Sequence, residues 1–216
     1  MKMLKRVLAL AAFGLVYGVG TPAQAALILK LDAGNGNTVT ITDGGVGDLD
    51  SSSGSVAWMG SLGSWIFNFT AGISNSPALT GPAILNLVSF NATSRRGGTL
   101  TISLIETGLT QPSGPNMVAT TSVTGSTSGT AQFSSLFNNN PTGSFGPFTG
   151  AFNGTTNTTV DTTGGFSLTQ VATITHTGAG ATGFSMVTNV PEPGTLALFG
   201  IGLVALGWAA RRKNRA

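Results

Sequence analysis

The sequence predicts an all-β chain: a single β-sandwich of jelly-roll or immunoglobulin-like architecture, flanked by an N-terminal signal-peptide helix and a C-terminal transmembrane helix. Three observations carry this expectation. Apolar residues between the two ends recur with period two, the strand signature, and no sustained helical period appears. Clusters of Gly, Asn and Ser interrupt those runs at short intervals, as turns do. Each end of the chain carries an apolar run beside a basic cluster.

The first element is the leader, residues 1–25. A basic start (MKMLKR) precedes an apolar run from Val7 to Gly20, then Thr21-Pro22-Ala23-Gln24-Ala25. Small residues at Ala23 and Ala25 are the form that signal peptidase reads, so cleavage is expected between Ala25 and Ala26. The run is hydrophobic on every face, unlike a helix that buries one stripe.

Residues 26–189 form the exported domain. Val39 and Ile41 alternate with Thr38, Thr40 and Thr42. Trp65, Phe67 and Phe69 fall on one face of a second strand, with Ile66, Asn68 and Thr70 on the other. Further strands are expected over 83–90, 99–106, 117–123, 131–137, 166–175 and 183–188. Turn residues separate them at 34–37, 44–45, 96–98, 125–129, 138–143 and 178–180. The stretch 137–163, rich in Asn, Gly and Thr, reads as a long loop around short strands.

Composition limits what this domain does. A chain of 216 residues leaves room for one ordinary domain plus targeting segments. The absence of cysteine excludes a disulfide framework, a thiolate metal site and a thiol nucleophile. The net charge of +3 belongs to the termini: between Ala26 and Val190 there are three basic residues (Lys30, Arg95, Arg96) against six acidic ones (Asp32, Asp43, Asp48, Asp50, Glu106, Asp161), a net of −3. A nucleic-acid surface needs clustered Lys and Arg, so the exported part is not expected to bind nucleic acid.

The last element is the tail, residues 190–216. Pro191, Glu192 and Pro193 precede an uncharged stretch over 194–210, and Arg211, Arg212, Lys213 and Arg215 follow. A helix over 194–210 reaches about 25 Å at ~1.5 Å per residue, the short end of what spans a bilayer. The basic cluster acts as a stop-transfer signal and favours the cytoplasmic side, which puts the domain outside the inner membrane. Pro191 and Pro193 break regular structure just outside the span, leaving an extended backbone that a processing enzyme can grip.

A Pro-Glu-Pro motif, an apolar helix and a terminal Arg cluster, with a signal peptide at the far end, resemble the PEP-CTERM sorting signal. The resemblance implies that Pro191, Glu192 and Pro193 are recognised by an exosortase, a membrane protease of bacteria that make exopolysaccharide and biofilm. The implied route is the inner membrane first, then the cell surface or the extracellular space. Residues 27–109, with Gly44-Gly45-x-Gly47-Asp48 after a Thr-x-Thr strand, also resemble a recurring domain of exported PEP-CTERM proteins, one that brings no known activity.

Candidate sites inside the domain are sparse. Asp43, Asp48 and Asp50 lie in one Gly-rich loop, and hard oxygen ligands on a loop suit Ca²⁺, though Asp is equally a turn residue. No cofactor is otherwise expected. His176 is the single histidine and alternation puts it on the Ile174 side, as a packed or rim residue. Glu106 stands alone near a strand end and is expected in solvent. Thr-x-Thr recurs at 38–42, 99–101 and 173–177, an outward strand pattern. Neither paired carboxylates nor a nucleophile elbow appears, so no enzyme is expected. The leading expectation is a structural or adhesive protein of an exopolysaccharide envelope. A carbohydrate-binding module, with Trp58 or Trp65 as a stacking platform, is the alternative; a secreted hydrolase would need more acids.

Overall fold

A computed structural model describes residues 26–75, 81–192 and 194. The leader over 1–25, Pro193, the span over 194–210 beyond Gly194, and the cluster Arg211, Arg212, Lys213 and Arg215 lie outside the described residues. Thr, Val, Ile and Phe dominate the alternating segments, and these become ten strands among the described residues. They are β1 (Ala26–Asp32), β2 (Thr38–Thr42), β3 (Ser55–Leu62), β4 (Trp65–Ser74), β5 (Ala83–Ser94), β6 (Gly98–Leu109), β7 (Met117–Phe137), β8 (Asn140–Val160), β9 (Phe166–His176) and β10 (Gly180–Val190).

The all-β expectation holds, but the two separate sheets of a sandwich do not form. All ten strands belong to one antiparallel sheet, ordered β2-β1-β6-β9-β7-β10-β5-β4-β3, with β8 beside β7. The sheet nevertheless has two layers, because β7 turns a corner. Its first part, residues 120–127, pairs with β10, and its second, residues 130–137, pairs with β9. Each half of the sheet therefore grows from one half of β7, and the halves fold face to face. β1 and β2 approach β3, while β4 and β5 approach β6, although none of these pairs is hydrogen-bonded.

The corner falls where Gly125–Gly129 was expected to be a turn. The glycines instead let strands cross closely: a Cβ on Gly129 would collide with the Thr175 carbonyl and the His176 ring. The stretch 137–163, expected to be a long loop around short strands, is mostly β8, one 21-residue arm of a long hairpin. Its turn is Asn138-Asn139, both at positive φ (48° and 64°), the backbone that a two-residue hairpin requires and that Asn tolerates.

Between the layers lies one core, with Leu29, Leu31, Leu100, Ile102 and Leu104 from one half and Trp65, Leu85, Leu87 and Met186 from the other. Two parity expectations fail. Thr70 is buried against Ser89 (Oγ to Oγ 3.0 Å), because Asn68 and Phe69 of β4 stand opposite Met59 alone and the extra residue reverses the faces beyond it. Glu106 is buried rather than solvated, because it continues the inward series Leu100, Ile102, Leu104.

Candidate functional site

The tail leaves the domain from the middle of the sheet. β10 is hydrogen-bonded to β5 on one side and β7 on the other, and its last residue, Val190, pairs with Ala83 and is fully buried. Pro191 and Glu192 follow at once and are exposed. No linker separates the sheet from the motif. Pro191 lacks an N–H and cannot extend the ladder, so the strand ends there for a stereochemical reason. Ala26, the residue after the expected leader cleavage, opens β1 and pairs with Thr107; Ala23 and Ala25 are outside the described residues.

Residues 189–213 match the PEP-CTERM protein-sorting motif. The chain therefore carries a PEP-CTERM sorting signal. That signal implies an exported protein that an exosortase sorts, held in a membrane and then delivered to the surface. The match begins at Asn189, inside β10, so motif and fold share two residues. No curated protein matches the chain. Among solved structures, that titled "Structure of infectious bursal disease virus Gx strain" aligns at 11% identity with a TM-score of 0.26, over 80% of this chain and 52% of that one. The chain thus spans about half the length of that protein, and a likeness this weak carries no argument about fold or function.

The acidic loop is tied to its own backbone. Asp48 Oδ1 accepts the N–H groups of Asp50 (3.0 Å) and Ala57 (2.9 Å), and its Oδ2 accepts that of Gly44 (2.9 Å). Asp43 Oδ2 accepts from Gly54 N–H at 2.7 Å. Asp50 accepts from Ser52 N–H (2.9 Å) and Ser55 Oγ (2.7 Å), and these bonds to the Ser52 amide and the serine hydroxyls hold its carboxyl below the usual range. Among the described residues no group of three or more acidic, His or Cys side chains converges as a metal site.

His176 occupies the corner and is buried on the Ile174 side, as its parity predicts. Nδ1 lies 2.8 Å from Ser94 Oγ and Nε2 lies 2.8 Å from Thr182 Oγ1. The neighbours fix the tautomer. Ser94 Oγ donates to the Gly178 carbonyl, so it accepts from Nδ1–H, and Nε2 then accepts from Thr182. Thr127 in turn donates to Thr182 at 2.6 Å while accepting from Gly129 N–H. The Trp65 ring covers the group with its centroid 4.8 Å away. Sequence reasoning missed this pair, since 82 residues separate Ser94 from His176. It resembles a nucleophile and base, yet Thr182 stands where a triad needs a carboxylate, and both members are sealed from solvent. Burial also pushes the His176 pKa down.

Aromatic platforms are similarly enclosed. Trp65 is fully buried, and Trp58 is half-buried with its ring edge-on to Phe67, centroids 5.2 Å apart. Among the side chains described, no Trp or Phe is exposed.

Proposed function

We propose that this is a non-enzymatic surface protein, delivered by an exosortase after signal-peptidase cleavage, with a structural or adhesive role in an exopolysaccharide envelope or biofilm. The observation that carries the reading is the sorting motif set directly on the last strand of a β-domain, as though the domain were cargo. The sealed Ser94–His176 pair and the lack of a convergent acid cluster among the described residues support a role without catalysis. The loop carboxylates of Asp43, Asp48 and Asp50 are committed to amides, which favours a structural role for them over calcium. Enclosed tryptophans weigh against a carbohydrate-binding module built on stacking.

The test is retention. In producing cells, the mature protein is expected to fractionate with exopolysaccharide and to be released when the polysaccharide is removed enzymatically. Recovery in the soluble medium regardless of polysaccharide would overturn the adhesive role.

A further inference from the structure

A β-sheet ends in unpaired backbone, and folded proteins guard such edges with charge, proline, bulges or covering loops. Among the described residues this sheet ends at β2, β3 and β8. β2 is short. The β3 edge is covered by the acidic loop: Ala57 N–H donates to Asp48 Oδ1, and Leu49 N–H donates to the Ala57 carbonyl at 3.0 Å. The first part of β8 contains Pro141 and Pro147 and meets β7 with three register shifts.

The second part of β8 has none of these guards. From Gly150↔Thr127 to Val160↔Met117 its register with β7 is unbroken, and 151–160 contains neither proline nor charge. Asn153, Thr155, Asn157 and Thr159 are exposed. No described residue pairs with its outer side.

We propose that the outer edge of Ala151–Val160 is an interaction surface, and that its occupant is the same strand of a second copy, paired antiparallel about a two-fold axis. The edge offers backbone donors and acceptors flanked by short neutral side chains, so it selects an extended, uncharged partner, and β8 itself meets that description. Self-pairing places no like charges opposite one another along the ladder. The one nearby charge, Asp161, fixes the direction. Antiparallel pairing carries the two Asp161 carboxylates to opposite ends of the ten-residue ladder, roughly 34 Å apart, whereas parallel pairing sets them side by side. A two-fold axis makes the contact self-complementary and closed.

The chain has no cysteine, so a single introduced thiol reports the pairing. Asn153→Cys, Thr155→Cys, Asn157→Cys and Thr159→Cys are introduced one at a time in the producing cells, and the released protein is oxidised mildly. Disulfide-linked dimer is expected to peak at the position nearest the two-fold axis and to fall on either side, well above Ser53→Cys in the covering loop. A second variant, Asn153→Lys with Thr159→Lys, sets like charges across the ladder and is expected to sediment as a monomer with an unchanged melting midpoint. Yields no greater than for Ser53→Cys at all four positions, or a dimer that persists in the lysine variant, would overturn the proposal.

Discussion

Protonating His176 would place a charge in the buried corner and turn Nε2, which now accepts from Thr182, into a second donor. Its pKa lies below the ordinary 6.5, so the two states are equally neutral at high pH. As pH falls through about 6.5 the unfolded chain takes up a proton that the folded chain refuses, and stability declines until the folded pKa is reached. The melting midpoint should therefore drop as pH falls through about 6.5, and His176→Gln should flatten that part of the curve; an unchanged slope in the variant would contradict the assignment. Packing at Gly72 is equally specific, since a Cβ there would overlap the buried Leu104 side chain across the interlayer space. Gly72→Ala is expected to cost about 1–3 kcal/mol by chemical denaturation. The side of the strand on which His176 lies was legible from alternation. Its partner Ser94 was not, because pairing across the layers depends on a corner that period-two patterning does not encode.

Among the elements, the covering loop and the long hairpin make separate demands. Asp48 satisfies three backbone N–H groups, so Asp48→Ala should destabilise the fold by about 1–3 kcal/mol through amides left partly buried without acceptors. Chelator or added Ca²⁺ should leave the melting midpoint of the parent chain unchanged, because these carboxylates are already committed; a calcium-dependent rise would restore the metal reading. In the hairpin, Asn139 holds φ at 64°. Asn139→Gly should be tolerated, while Asn139→Val should cost about 1–2 kcal/mol. Strands with one inward face, such as β9 and β10, were readable because each alternate residue is buried. β8 was not readable: much of it is open on both faces at the rim, so its sequence shows Asn, Gly and Thr without hydrophobic alternation. Asp43, Asp48 and Asp50 were legible as a cluster, but their backbone partners include Gly54 and Ala57, which only the fold brings near.

At the scale of the whole molecule, β8 and β10 both run antiparallel to β7 and hence in the same direction. Antiparallel pairing of β8 therefore points the two sorting tails opposite ways, which copies anchored side by side in one membrane do not satisfy. Thiol-linked dimer should accordingly be confined to the released fraction, and equal yields in membrane-held and released protein would contradict this orientation. The sorting tail was the most legible part of the chain, because its chemistry is local: prolines, an apolar stretch and cations follow one another directly in the sequence. Sorting is also separable from folding, since Val190 closes β10 and the Pro-Glu-Pro residues follow it in the sequence. The most direct measurement replaces Pro191, Glu192 and Pro193 with alanine in the producing cells and follows chain size and location. Sorting by this signal predicts a full-length, folded chain retained in the membrane fraction with none delivered to the surface; delivery at the parent level and size would contradict it.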